Sequence, residues 1–543
     1  TGLGKGIATV ANHHISPGKK MWHWGTGDFG DMWCSNLTDK NGPYIELMTG
    51  VYTDNQPDFT WIAPYETREF EQYWYPVREI GEIKNATVDA CVNVEKRNNK
   101  LYVGFNVTGV FENCKIEVRD GQKTVYSENT DMSPDKAYHK YIDAEISDIH
   151  NITVTLSSAD DKVLVEYKPY KRGKKQPIEV RKPVKRPCEY KTVEELYING
   201  YHLEQYKQHN YKPEDYYLEG LKRDGGDIRC NTSMARLSLK NGKFKDCVKY
   251  CDKAIERLTS RNMHPTDTEA LYLKGVALEY LGEYDKAYDV LYMAAWNYAN
   301  RSAAMYELAC IDCRNGDYDS ALQKLDESLG LNKGHTKAEN LKSAVLRKLG
   351  SPLAQSSALE GTNDDKLDVL ALVEYSHYEN VTDKIAQFAK KAENMLDTAR
   401  DYMKAGFNDD AVYALGFADK ASPLVNYYLA YLTGKDEYIR SAEKLDTGYC
   451  FPSELSDIAV LEYAADKDKN AANTRYYLGN LFYDKFRYDE AAQLWNECVR
   501  IDEKHGKAWR NLSLYYFDKA HMPDKALECM QNALKYRPED PRL

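Results

Sequence analysis

The pattern of apolar and polar residues changes from strand-type to helix-type near residue 192. Before that point, short runs alternate apolar and polar positions, as in Glu69–Val77, and Gly, Asp and Asn residues separate the runs. Alternation of period two predicts half-buried β-strands. After that point, apolar residues recur with helical spacing to Leu543. The pattern predicts a multidomain α+β protein with a β-rich first part and an all-α second part.

The β-rich part divides into two predicted domains. Residues 1–82 contain predicted strands at Gly6–Val10, Tyr44–Tyr52 and Glu69–Val77, and we expect an all-β unit. Residues 83–168 hold about seven short alternating runs separated by turns such as Asp120-Gly121. That many short strands in one domain is typical of an immunoglobulin-like β-sandwich.

Residues 169–191 form a predicted linker rich in Lys, Arg and Pro. Like charges and prolines favour an extended, stiff chain. The stretch either contacts an anionic membrane or nucleic acid or serves as a solvated spacer along acidic repeats. The formal charge of −11 for the whole chain argues against a general nucleic-acid binder, and we expect no nucleic-acid partner.

The all-α part, residues 192–543, has an internal period. Gly282, Gly316 and Gly350 are spaced by 34 residues, which indicates stacked helix–turn–helix units. Small residues at the helix crossings let two backbones approach, and each glycine ends a helix. The pattern resembles tetratricopeptide repeats. The repeat register is marked by these residues: Gly275, Tyr284, Ala287, Ala294, Ala309, Tyr318, Ala321, Ser328, Gly479, Tyr488, Ala491 and Trp495.

Such a resemblance implies a solenoid that binds a protein partner or mediates self-association. The inner face of the first helix of each repeat normally lines a concave groove. Four aromatic residues fall at such positions and serve either peptide binding or packing between repeats: Tyr272, Tyr306, Tyr476 and Trp509.

Composition also bears on membrane spans, cysteine chemistry and the cellular compartment. The sequence has no apolar run of ~18 residues, so we expect no membrane span. The 12 cysteines include Cys310-x-x-Cys313, without a second such pair at zinc spacing. Small buried core residues in a reducing compartment are the main interpretation, and redox or metal roles are the alternatives. We expect a cytoplasmic protein without a cofactor or a metal.

The stretch from Gly42 to Phe59 carries the candidate chemistry. It combines a strand with one carboxylate, Glu46, and a turn rich in Asp, Asn and Pro, close to many tryptophans. Aromatic faces beside carboxylates and amides suit a sugar, whose C–H faces stack on rings and whose hydroxyls need polar partners. The predicted substrate-binding residues are His14, Trp22, Trp24, Asp54, Asn55, Asp58 and Trp61.

Structural interpretations compete with each of these assignments. Glu46 can be a strand carboxylate paired with Lys19, Lys20 or Arg68, and the tryptophans can fill a small core. Asp54, Asn55 and Asp58 can form Asx-turns, and they do not have calcium-loop spacing.

The run Gly42–Leu47, followed by Asp54–Asp58, resembles the end of galactose mutarotase-like (aldose epimerase-like) domains. The resemblance implies that residues 1–82 are the last part of a mutarotase-like supersandwich. It also implies that Glu46 is the catalytic base on the anomeric hydroxyl. The family's histidine acid has no clear match, so most of such a site is expected before Thr1. The whole arrangement resembles a bacterial family of unknown function that joins such a domain to tetratricopeptide repeats.

Two functions follow from these patterns. The first is a carbohydrate-binding or carbohydrate-processing protein, epimerase-like or glycosidase-like if it is an enzyme, with a repeat scaffold. The second is a non-catalytic scaffold that mediates protein–protein interactions.

Overall fold

We describe the protein from a computed structural model. The structure describes residues 4–52, 68–97, 99–144, 146, 148–171, 173, 183–206 and 210–543. They form two compact units, Thr1–Val184 and Lys185–Leu543. The first unit is built mainly from β-strands and the second from α-helices. The predicted mixed α+β class is confirmed.

The first segment of the β unit contains two small antiparallel sheets. Its strands are β1 (Lys5–Ala11), β2 (Gly18–His23), β3 (Ile45–Gly50) and β4 (Gln72–Arg78). Strand β1 pairs with β4 and strand β2 pairs with β3. Strands β1, β3 and β4 overlap the three strands predicted from the period-two alternation, whereas β2 was not among them.

One helix corrects the all-β expectation for this segment. Residues Asp28–Leu37 form α1 between β2 and β3. Asp28 and Asp31 lie in its first turn, where negative charge is favourable near the helix N-terminus. Phe29, Trp33 and Leu37 are spaced by four residues, so they share one helical face. That spacing is the helix signal that the strand interpretation overlooked.

The rest of the β unit is a sandwich of two four-stranded antiparallel sheets. Its strands are β5 (Asn85–Ala86), β6 (Ala90–Arg97), β7 (Lys100–Val107), β8 (Phe111–Asp120), β9 (Lys123–Met132), β10 (Tyr138–Ile142), β11 (Ile152–Ser157) and β12 (Val163–Tyr167). The sheet orders are β10-β7-β6-β5 and β12-β11-β8-β9. Inward-facing side chains such as Phe105, Ile116 and Val154 are fully buried in one core.

The second unit is a helical solenoid. Its helices are α2 (Val193–Gln205), α3 (Pro213–Arg223), α4 (Ile228–Lys240), α5 (Phe244–Thr259), α6 (Glu269–Tyr280), α7 (Tyr284–Ala294), α8 (Tyr298–Asn315), α9 (Tyr318–Leu331), α10 (Thr336–Lys348), α11 (Ala354–Asp364), α12 (Val369–Tyr375), α13 (Thr382–Ala389), α14 (Ala392–Lys404), α15 (Asn408–Leu415), α16 (Pro423–Thr433), α17 (Asp436–Ala442), α18 (Leu455–Lys467), α19 (Ala472–Asp484), α20 (Tyr488–Ile501), α21 (Gly506–Asp518) and α22 (Pro523–Tyr536). The predicted tetratricopeptide-like solenoid is confirmed.

The glycines of the 34-residue period end the first helix of each hairpin. Gly282, Gly316 and Gly350 have φ of 75°, 77° and 64°, in the left-handed region that favours glycine. The following residue closes each end in the same way: the Asp317 N–H, for example, donates to the Asp312 carbonyl at 3.0 Å. These are Schellman-type helix ends. A glycine at a fixed position in each repeat therefore determines where the first helix ends and the hairpin turn begins.

Small residues at the helix crossings allow close packing. A Cβ atom at Gly275 would lie 2.4 Å from Leu291 Cγ, and one at Gly479 would lie 2.5 Å from Trp495 Nε1. The core is continuous across many repeats, since one buried apolar cluster extends from Tyr306 to Cys529. The repeats from α8 to α22 therefore share one core, whereas the earlier repeats have separate clusters.

Candidate functional site

The structure brings the predicted carboxylate beside one predicted aromatic residue. Glu46 on β3 stands opposite Trp22 on β2 in the strand register. The Tyr44 hydroxyl donates to Glu46 Oε1 at 3.2 Å. Burial and the Glu46 charge raise the pKa of Tyr44 above its usual value, so Tyr44 stays protonated as a donor. Glu46 is partly buried.

Helix α1 adds a tryptophan stack next to this hairpin. The Trp24 and Trp33 rings are stacked with centroids 4.7 Å apart, and Trp22 meets the edge of Trp24 at 4.5 Å. The indole N–H groups of Trp24 and Trp33 are buried without a hydrogen-bond partner among the described residues. Such donors are available to an acceptor that enters the cluster.

The remaining predicted sugar-site residues do not extend this cluster. His14 is exposed in the turn before β2, and its ring lies 3.9 Å from that of His13. Asp54, Asn55, Asp58 and Trp61 lie outside the described residues. The assignment of a sugar site to this segment stays a prediction.

The inner face of the solenoid is largely used for packing. Tyr306 is buried and lies 4.9 Å from the His335 ring, and Tyr476 is buried against His505 at 4.7 Å. Tyr272 donates to Glu307 Oε1 at 3.3 Å. The sequence left open whether these aromatic residues bind a peptide or pack between repeats. Tyr306 and Tyr476 are buried and serve packing.

Helix α14 covers part of that inner face. The Arg314 guanidinium, at the end of α8, donates to the carbonyl oxygens of Met403 at 2.5 Å and Lys404 at 2.9 Å. Lys404 also forms an ion pair with Glu307 on α8. Because these hydrogen bonds satisfy the last carbonyls of α14, the end of α14 is fixed on α8.

Three ionisable groups lie together at the contact between α8 and α14: Glu279, Glu307 and Lys404. Burial and the nearby Glu307 raise the pKa of Glu279 well above its usual range. Burial disfavours the charged form of Lys404, but Glu307 and Glu279 outweigh that effect and raise its pKa. Lys404 therefore stays charged at neutral pH and neutralises Glu307, while Glu279 takes up a proton more readily than an exposed carboxyl.

A second contact joins distant parts of the solenoid. Arg487 Nη1, just before α20, lies 3.4 Å from the Gly242 carbonyl oxygen in the α4–α5 turn. A Cβ atom at Gly242 would lie 2.6 Å from Ile458 Cδ1 on α18.

An open pocket is lined by residues of α7, α8 and α9. Its volume is about 420 Å³. It is lined by Tyr292, Ala295, Trp296, Arg301, Met305, Gln323, Lys324 and Glu327. We call it the outer pocket. Tyr292 and Trp296 form its walls and are 51% and 49% exposed.

The floor of the outer pocket is apolar and its rim is charged. Ala295 and Met305 are buried at the bottom. Arg301 forms an ion pair with Glu327 at the rim. Lys324 is already satisfied, since its Nζ atom lies 2.6 Å from both Asp312 Oδ2 and Ser320 Oγ. The charged groups are paired with one another, so the pocket suits binding of a side chain better than acid–base chemistry.

Sequence reasoning missed the outer pocket. Tyr292 and Trp296 stand outside the small-residue positions that mark the repeat, and the pocket arises where two neighbouring hairpins meet. The available signal in the sequence was the pair of aromatic residues Tyr292 and Trp296 near the end of α7. Among the described residues, we find no group of His, Cys, Asp and Glu that could hold a metal. None of the described helices is long and apolar enough to cross a membrane.

Two family models match the β unit. Residues 1–77 are similar to the domain of unknown function DUF5107. Residues 85–167 are similar to the second domain of YphG-like proteins.

Curated relatives share short stretches with this chain. Hsp70-Hsp90 organizing protein 1 of Glycine max is 30% identical over 125 residues, which cover 22% of this chain and 19% of that protein. The Hsp70-Hsp90 organizing protein of Triticum aestivum is 34% identical over 88 residues, 15% of each chain. The chain thus spans under a fifth of the length of these two relatives.

Solved structures share repeat architecture at low identity. A tetratricopeptide repeat protein from Parabacteroides merdae is 13% identical with a TM-score of 0.30, covering 60% of this chain and 98% of that one. YrrB, described as a tetratricopeptide protein with an unusual peptide-binding site, is 16% identical with a TM-score of 0.19, covering 40% and 93%.

Proposed function

We propose that the protein is a non-catalytic scaffold whose solenoid binds a protein partner, with one apolar side chain of the partner held in the outer pocket. The observation that carries this proposal is the outer pocket itself, with its two half-exposed aromatic walls over the Ala295–Met305 floor. Stacked helical repeats offer a long surface suited to protein partners.

The dimensions of the outer pocket support an anchoring side chain. Small-molecule pockets have volumes of about 300–1,000 Å³, and the outer pocket, at about 420 Å³, has room for one side chain between its apolar and aromatic residues and its charged rim. Aromatic residues in such pockets carry much of the binding energy of protein interfaces. Met305 at the floor is flexible and adapts to different anchors. An aromatic or branched aliphatic side chain therefore fits best.

The charged residues at the rim of the outer pocket, Arg301 and Glu327, orient the bound partner. Arg301 and Glu327 are about half and one third exposed, so their ion pair contributes little to stability. It offers donors and acceptors to a peptide backbone that passes over the pocket. We infer that the anchor enters between Tyr292 and Trp296 while the flanking backbone contacts Arg301 and Glu327.

The test is a selection of peptides from a random display library on the immobilised full chain. Selection is repeated on Trp296→Ala, which removes one wall, and on Tyr298→Ala, which removes a 69% exposed aromatic residue that does not line the pocket. We expect enriched peptides with an aromatic or aliphatic anchor that are lost with Trp296→Ala and kept with Tyr298→Ala. If no enriched sequence depends on Trp296, the proposal is wrong.

A second candidate is sugar binding at the β2–β3 hairpin. The contact of Glu46 with Tyr44, the position of Trp22 opposite Glu46, and the unpartnered indole N–H groups of Trp24 and Trp33 favour it. Calorimetry with mono- and oligosaccharides tests it. A sugar whose binding weakens at least tenfold in Glu46→Gln would support this candidate, and no binding by any sugar would reject it.

A further inference from the structure

The loop between α5 and α6 carries an insertion in the repeat pattern. Gly242 and Gly282, which follow α4 and α6, are 40 residues apart, whereas Gly282, Gly316 and Gly350 are spaced by 34 residues. The extra residues lie in this loop, residues 260–268, which is nine residues long. The equivalent loops before α8 and α10 have three and four residues. Binding residues often lie on loops that a rigid scaffold positions.

The second half of the α5–α6 loop is fixed on the turn between α7 and α8. The buried Thr268 hydroxyl donates to the Ala294 carbonyl oxygen at 3.0 Å. The Asn297 side-chain amide donates to the Thr266 carbonyl oxygen. Trp296 lies between Ala294 and Asn297 in the sequence, so these two hydrogen bonds hold the loop against the segment that supplies one wall of the outer pocket.

His264, in the middle of the loop, packs on that wall. The ring centroids of His264 and Trp296 are 4.5 Å apart and the ring planes are tilted by 53°, a separation usual for interacting aromatic side chains. The His264 N–H donates to Asn262 Oδ1 at 3.0 Å, and this local turn orders the loop beside the ring. Trp296 lines the outer pocket, whereas His264 is not among the lining residues.

We propose that His264 is a positioning residue for the outer pocket, which holds the Trp296 ring in the orientation that receives the partner's side chain. This role rests on the proposed function of the pocket. Trp296 is 49% exposed, and without a neighbouring ring it can adopt other rotamers. Ordering one such side chain on binding weakens affinity by about threefold to tenfold. The inserted loop therefore sets the affinity of the outer pocket by ordering its wall in advance.

Fluorine NMR of the full chain labelled with 5-fluorotryptophan tests the position of the ring without any partner. The chain has eight tryptophans, and Trp296→Ala identifies the Trp296 resonance by its loss. In His264→Ala, transverse relaxation of this resonance should slow, because an exposed ring that is not held moves on a faster timescale. His264→Phe keeps an aromatic ring in place and should retain the wild-type rate. Met263→Ala, at the adjacent residue, which is 67% exposed, is the matched control and should also retain it.

Calorimetry with a peptide selected on the outer pocket tests the effect on binding. We expect His264→Ala to weaken binding by about threefold to tenfold, and His264→Phe and Met263→Ala to stay within about twofold of wild type. Urea unfolding checks that the variants are equally stable. If Trp296→Ala binds as tightly as wild type, the proposed function is wrong. If Trp296→Ala weakens binding while His264→Ala does not, only the positioning role is wrong. An unchanged relaxation rate of Trp296 in His264→Ala overturns the positioning role whether or not a peptide binds.

Discussion

Lys404 on α14 forms an ion pair with Glu307 on α8, and it is the only cation within salt-bridge distance of Glu307 among the described residues. The Glu307 side chain is 6% exposed, whereas that of Lys404 is 33% exposed. The pair therefore joins a buried carboxylate to a partly solvated cation across helices that are far apart in the sequence. It fixes α14 on the inner face of the solenoid.

Replacing Lys404 by Met should destabilise the solenoid by about 2 kcal/mol. Breaking a buried pair leaves an uncompensated charge and costs about 3–5 kcal/mol when both partners are buried, and the partial exposure of Lys404 reduces that cost. Urea unfolding measures the change. Lys253→Met is the control, since Lys253 and Glu256 form an exposed pair worth less than about 1 kcal/mol. Equal effects of the two variants would contradict the importance of the α8–α14 contact.

His505 should make the solenoid sensitive to acid. Burial lowers the pKa of His505 to about 4, whereas an unfolded histidine has a pKa of about 6.5. Between these values the unfolded chain binds a proton that the folded protein does not. The stabilising contribution of neutral, buried His505 to the free energy of unfolding is therefore fully present above pH ~6.5. It falls by about 3 kcal/mol as the pH drops to about 4.

Asparagine at position 505 tests this dependence. The His505 Nδ1 atom accepts the Ala508 N–H at 3.1 Å, and the Asn side chain can replace that helix cap without titrating. In His505→Asn, the free energy of unfolding should no longer show the fall between pH 7 and pH 4 that His505 causes. His521→Asn, at an exposed histidine, should keep the wild-type profile. The same loss of stability in wild type and His505→Asn would contradict the assignment.

Gly275→Ala should destabilise the α6–α7 hairpin by about 1–3 kcal/mol. The added methyl group would lie 2.4 Å from Leu291 Cγ, and overpacking of this kind outweighs the better helix propensity of Ala. Gly330→Ala is the matched control on α9, where the added Cβ atom meets open space, and it should stabilise by about 0.5–1 kcal/mol. Chemical unfolding should show opposite signs, and a neutral Gly275→Ala would be inconsistent with the close helix crossing.

Only one cysteine should react quickly in the native protein. All twelve cysteines are free thiols and eleven are buried, with Cys188 exposed. Burial raises the pKa of Cys450 to about 11 and that of Cys313 to about 12, so these thiols are protonated and shielded. Titration with a thiol reagent should give one fast equivalent that Cys188→Ser abolishes. Two or more fast equivalents would show that the packed core opens readily.

The repeat architecture was predictable because its determinants are local. Gly316 ends α8 through its own backbone conformation, and Gly275 contacts Leu291 within one hairpin. A fixed spacing in the sequence therefore indicates both the helix end and the helix crossing. The sandwich strands were predictable for the same reason, since alternation in β7 and β11 directly reflects their burial. Helix α1 was missed because its four-residue spacing is embedded in a tryptophan-rich segment.

The candidate site depended on contacts that no local pattern records. Arg314 donates to the Met403 carbonyl oxygen although the two residues are 89 positions apart in the sequence. The outer pocket needs Trp296 from one hairpin and Glu327 from the next. For Glu46, the sequence predicted a carboxylate among aromatic residues, and the structure adds its contact with Tyr44, while its role with a sugar stays a prediction.

The affinity of a peptide selected on the outer pocket tests the central claim most directly. Isothermal calorimetry compares its dissociation constant for wild type, Trp296→Ala and Tyr298→Ala. We predict at least tenfold weaker binding to Trp296→Ala, because an aromatic wall that becomes buried on binding is worth about 1–2 kcal/mol or more, and less than twofold change for Tyr298→Ala. Equal binding to wild type and Trp296→Ala would contradict the account.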